Sequence, residues 1–137
     1  MKARIRQTVP ETVLSYGLAE ETARKLTAVL EGLFISERRI APDEVGKPLG
    51  FLAGFPGFPE HESGEAAPDC GGMICLGGLS SARIDVLLAA LREEQIAIPL
   101  KAVITPVNRN WSVAKLIAEL GKEREAIARQ RQNRAGE

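Results

Sequence analysis

The sequence predicts an α/β fold, two degenerate βαβα halves around one small sheet, with a ferredoxin-like α+β sandwich as the alternative. Three observations carry this. Two short apolar runs, Thr12 to Ser15 and Met73 to Leu76, run into glycine turns, Tyr16-Gly17-Leu18 and Gly77-Gly78-Leu79. Each turn is followed by apolar residues at i, i+3, i+4, i+7 spacing, the period of a helix with one buried face. Each half then returns in a second strand that stops at a proline, Pro42 or Pro106, where the missing N–H ends a sheet ladder.

In chain order, Thr12 to Ser15 is the first strand, and Leu26, Val29, Leu30 and Leu33 mark the helix after it. Ile35 to Ala41 is the second strand, and a short helix follows around Val45 to Ala53. In the second half Met73 to Leu76 is a strand. Ile84, Leu87, Leu88 and Leu91 mark a helix that Ser80 or Ser81 can cap, since a serine oxygen accepts one of the free first-turn N–H groups. Leu100 to Thr105 is the last strand, and a long helix runs from Trp111 to about Arg129. Its stripe is Val113, Leu116, Ile117, Leu120 and Ile127, with Lys115/Glu119 and Glu125/Arg129 spaced as surface ion pairs. Right-handed crossovers make consecutive strands parallel, with helices on the sheet faces.

The pseudo-repeat halves span about 10–53 and 72–129, within a single domain covering 1–137. They are joined by a loop at 54–71 containing Gly-Phe-Pro-Gly-Phe-Pro and the carboxylates Glu60, Glu62, Glu65 and Asp69. Loops of this length inside a compact domain tend to be functional or disordered. The segments 1–8 and 130–137 read as flexible tails.

The chain has 137 residues and is 45% hydrophobic, enough to bury roughly two-thirds of its unfolded surface without a disulfide or metal staple. Lysine plus arginine and aspartate plus glutamate both number 18, so no global field draws it to nucleic acid or a bilayer. Aromatic residues make up only 4%, too few for a base-stacking platform. Nucleic acid is therefore not an expected partner. No apolar run is long enough to cross a membrane, and a cytoplasmic protein is expected.

The strongest candidate for chemistry is Pro99-Leu-Lys-Ala-Val-Ile-Thr-Pro-Val-Asn-Arg-Asn-Trp-Ser112, a strand that runs through a proline/asparagine turn onto the only tryptophan. Together with the run Met73–Leu79 it resembles the bacterial family of short domains termed DUF3783, over Gly72 to about Ala126. Val107 departs from the more polar residue common at that place. The resemblance implies a fold and a conserved-looking loop, and no activity.

In parallel sheets ligands sit beyond the carboxyl ends of strands, where helix N-termini present free N–H groups. Thr105, Asn108, Arg109 and Asn110 can therefore hold a polar or anionic ligand, with Trp111 as a wall, Lys101 nearby and the Phe55–Phe58 loop as a lid. The competing reading has Asn108 or Asn110 capping the last helix and Trp111 packing on the core. The first-half counterpart, Arg38 to Lys47, keeps the strand and proline but not the asparagines or tryptophan. The glycine turns match no phosphate-binding motif and read as tight turns.

His61, Cys70 and Cys75, with Asp69 or Glu60, lack the paired short spacings of a structural zinc site, so no metal and no cofactor is expected. One loop histidine and solvated acid pairs assign no catalytic residue. Arg124, Arg129, Arg131 and Arg134 form a basic helix end. The expected function is a non-catalytic ligand-sensing or protein-interaction module, taking a small polar or anionic ligand or a protein partner, with a homodimer allowed. The alternative is a small enzyme whose site forms at a homo-oligomer interface.

Overall fold

The computed structural model describes residues 11–55, 57, 64 and 70–135, the last five as helical backbone alone. One four-stranded sheet organises them, in the order β2-β1-β3-β4. Its strands are β1 (Thr12–Tyr16), β2 (Ser36–Arg39), β3 (Met73–Gly77) and β4 (Leu100–Val103). The helices are α1 (Glu20–Gly32), α2 (Leu49–Leu52), α3 (Ser81–Glu93) and α4 (Val113–Ala135), with a 3-10 turn at Pro42–Glu44.

The α/β class holds, and the ferredoxin-like alternative gives way to parallel neighbours. β1 pairs with β2 and β3 with β4 in parallel, as crossover helices require, but the two units meet antiparallel along β1 and β3. At the centre of that seam Leu14 stands opposite Cys75. The β1/β3 register is therefore symmetric about this pair, and the two βαβ units run in opposite directions across the seam. The carboxyl ends of β1 and β2 emerge at one edge of the sheet, and those of β3 and β4 at the other.

Side-chain alternation on the central strands separates two cores. Val13, Ile74 and Leu76 point to one face and are covered by Leu26 and Leu30 of α1 and Leu87 and Leu91 of α3. Leu14, Met73 and Cys75 point to the other, beneath Leu49, Leu52, Val113, Leu116 and Ile117 of α2 and α4. Central strands buried on both faces read as unbroken apolar runs, which is why they stand out in the sequence. The edge strand β2 is Ser-Glu-Arg-Arg, a charged edge that discourages pairing with other chains. Its buried residues, Ile35 and Ile40, lie just outside the ladder.

Both crossover helices end in the same way. Phe34 (φ 61) and Gln95 (φ 58) adopt the left-handed conformation one residue past the cap. The N–H of Phe34 donates to Glu31 O and that of Ile35 to Leu30 O, while Gln95 and Ile96 donate to Arg92 O and Leu91 O. This is the Schellman arrangement, completed each time by an apolar contact, Ile35 with Leu30 and Ile96 with Leu91. At the preceding turns Gly17 (φ 75) and Gly78 (φ 77) hold the conformation that favours glycine.

Ser80 is the cap of α3, its Oγ accepting from Arg83 N at 3.2 Å. The last helix runs to Ala135, past its expected end near Arg129. Val113, Leu116 and Ile117 are buried and Leu120 packs beside them, whereas Ile127 is half exposed. The expected Lys115/Glu119 pair is replaced. Lys115 lies over the Trp111 ring at 5.1 Å from its centroid, and Glu119 pairs with Lys122 at 3.3 Å.

Candidate functional site

The turn after β4 is built from its own polar groups. Asn108 is buried, with 8% of its surface exposed. Its Oδ1 accepts from Thr105 N at 2.9 Å and its Nδ2 donates to Val103 O at 3.1 Å. Thr105 Oγ1 accepts from the N–H groups of Val107 and Asn108, both at 3.2 Å. The cap of α4 is Ser112, whose Oγ accepts from Lys115 N at 3.0 Å, and neither Asn108 nor Asn110 takes that place. Trp111 packs against the α2/α4 core. The backbone locks the turn onto the first unit: Leu49 N donates to Trp111 O and Gly50 N to Arg109 O, each at 2.9 Å, beside a bridge between Pro48 and Ser112.

The structure thus gathers Thr105, Asn108, Arg109, Asn110 and Trp111 in one rigid turn, and leaves Lys101 out of it. Lys101 begins β4, at the opposite edge of the sheet, where its Nζ donates to Ile98 O at 2.9 Å. There it lines a small hollow with Leu120, Arg124 and Ile127.

Residues 73–127 match the model of the family described as Domain of unknown function (DUF3783). The DUF3783 segment takes in β3, α3, β4, the Thr105–Trp111 turn and α4 as far as Ile127. It leaves out the whole first unit. No curated protein and no solved structure matches the chain.

The first unit has a turn that works like the one in the DUF3783 segment. Glu44 Oε1 accepts from Ala41 N at 2.9 Å, just as Asn108 accepts from Thr105, and both donors precede a proline. Arg38 steadies Glu44 from the side at 2.6 Å. The Ala41 N–H holds the Glu44 carboxyl below the usual carboxylate range, and Arg38 adds to that against the opposing effect of burial.

The sheet's two edges differ at the carboxyl ends of their parallel strands. Beyond β3 and β4, Ser80 caps α3 and Arg83 forks onto Glu11, while Phe55 and Ile104 lie within 3.2 Å of a Cβ added at Gly77. That end is filled. Beyond β1 and β2 a cleft of about 160 Å³ opens, lined by Ser15, Tyr16, Gly17, Glu20, Arg39 and Ile40. The N-cap of α1 is Ala19, which offers no side-chain bond to the first-turn N–H groups. Ser15 is only 3% exposed and lines the cleft. Arg39 is held from behind: its Nη2 donates to Thr27 Oγ1 at 3.2 Å and its Nε lies 3.6 Å from Glu37 Oε2.

Sequence reasoning missed this cleft, because a lone glycine turn reads as a tight turn. Its one sequence signal was Arg39, a charged residue next to the strand-ending Ile40-Ala41-Pro42.

Cys75 is fully buried in β3, and burial pushes its thiol up to about 12. Cys70 is partly exposed and packs on the same core. His61, Glu60, Asp69 and Phe58 lie outside the described residues. So do the side chains of Arg131 and Arg134. Among the described residues no three metal-ligating side chains cluster, and no helix is long and apolar enough to cross a membrane.

Proposed function

We propose that this chain is a non-catalytic module that binds a small polar or anionic ligand at the cleft beyond β1 and β2. The observation that carries this reading is the contrast between the two sheet edges. Similar units present strand carboxyl ends and a helix N-terminus at both, yet one is plugged by Arg83, Ser80 and Phe55 and the other is open. In the open one, the free N–H groups of α1 and the Arg39 guanidinium favour a carboxylate or phosphate group. Ser15 offers a hydroxyl in a dry wall, and Glu20 suits a cationic or hydroxyl substituent. A volume near 160 Å³ displaces about five waters, which fits a small metabolite. Read this way the two units are a degenerate internal repeat, of which the first kept its site open and the second filled it.

A thermal-shift screen with small carboxylates, inorganic phosphate and free amino acids tests the reading. A hit is then titrated by calorimetry against Ser15→Val, Arg39→Ala and Asn110→Ala. Loss of binding in the first two, with Asn110→Ala unchanged, supports the cleft. Binding lost only in Asn110→Ala moves the site to the Thr105–Trp111 turn.

A further inference from the structure

The outer face of α1 and α3 carries a groove of about 450 Å³, distinct from the cleft. Its floor is small and apolar, with Ala28, Val29 and Gly32 on α1 facing Ala90 on α3. One end is charged with opposite signs on the two walls, Lys25 on α1 and, across from it, Glu93 at the end of α3 with Glu94 just after it. Toward the other end Phe34 follows Leu33 and is 92% exposed, while Val86, on the same stripe of α3 as Ala90, is 45% exposed. A phenylalanine held in the left-handed conformation and turned out to water serves no packing role within the chain.

We infer that this face is a homodimer interface. A twofold axis lying along the groove exchanges its walls while keeping position along it. Lys25 of each copy then faces Glu93 and Glu94 of the other, and α1 crosses over the partner's α3. Phe34 of each copy falls near Val86 of the other, so the exposed aromatic ring and the apolar floor are covered together. An isologous contact requires a self-complementary patch of this kind. With opposite charges on opposite walls, each half of the interface supplies what the other needs. A twofold axis across the groove would instead overlay like walls and carry Lys25 to the far end, away from Glu93 and Glu94.

Analytical ultracentrifugation of the full chain over a range of concentrations tests this, with circular dichroism confirming the fold of each variant. The wild type sediments as a dimer that loosens with added salt. Phe34→Gly raises the dissociation constant by at least about tenfold. Lys25→Glu does the same, as does Glu93→Lys with Glu94→Lys, because each sets like charges face to face. Combining all three charge reversals restores the dimer, since both copies then carry the inverted but complementary pattern, and no loss of folding can imitate that rescue. A wild type that stays monomeric throughout overturns the inference. So does a dimer indifferent to these changes, or a face that Phe34→Gly shows to be occupied only by a different protein.

Discussion

Arg83 grips Glu11 at two points, Nε to Oε2 at 2.9 Å and Nη2 to Oε1 at 2.8 Å, and the same guanidinium donates to Leu33 O. One side chain at the start of α3 thereby ties down the residue before β1 and the end of α1. It fastens the second unit to the first on the helical face.

The Arg83 hydrogen bonds hold the Glu11 carboxyl below its ordinary range. A carboxylate with a lowered folded-state pKa stabilises the fold above its unfolded pKa of about 4.3, and that contribution disappears as pH falls through the folded value. Urea midpoints measured from about pH 6 to about pH 3 should drop more gently in Glu11→Gln than in the wild type. Equal acid slopes would show that the pair contributes nothing to acid stability.

Asn108→Ala strands two buried backbone groups, Thr105 N–H and Val103 C=O. The expected loss is about 1–3 kcal/mol in urea unfolding. Asn108→Asp keeps the acceptor for Thr105 and removes the donor to Val103, so it should fall between. Glu44→Gln preserves the acceptor for Ala41 and should cost less than about 1 kcal/mol.

Phe34 and Gln95 pay for left-handed backbone that glycine adopts without strain. Relief of about 1–2 kcal/mol outweighs the extra freedom glycine brings to the unfolded chain, roughly 0.4–1 kcal/mol. Phe34→Gly and Gln95→Gly should each raise monomer stability by about 0.5–1 kcal/mol, read from chemical denaturation below the dimer dissociation constant. A destabilised Gln95→Gly would mean that the side chain holds the turn.

Burial keeps Cys75 as an inert thiol, pushed up to about 12, whereas Cys70 is partly exposed. A thiol reagent at neutral pH should titrate one cysteine quickly in the native protein and both in denaturant. Rapid reaction of two thiols before unfolding would show that the β1–β3 seam opens readily.

Much of this architecture was legible in the sequence because it rests on local chemistry. The doubly buried central strands, the α1 and α3 stripes and the Ser80 cap all follow from spacing and residue type. The antiparallel seam did not, since strands apolar on both faces carry no polarity that reveals their pairing or direction. Phe34 and Gln95 hid their left-handed turns because neither is the glycine that usually marks one. Ser112 was passed over as a cap because two asparagines sat just before the helix, and one of them was already spent within the turn. Lys101 was grouped with Asn108 by closeness in sequence. The chain from Lys101 to Ile104 alone covers about 10 Å, which places Lys101 and the turn at opposite edges of the sheet.

The seam itself has a consequence for chains of other lengths. A protein holding only the DUF3783 segment would lack β1, leaving β3 paired with β4 on one side and bare on the other, the kind of edge that recruits another strand. Because the antiparallel register is centred on Leu14 and Cys75, a second β3 can stand where β1 stands here. Two short chains joined in this way would rebuild the four-stranded sheet from identical parts, with their two Cys75 residues face to face at its centre.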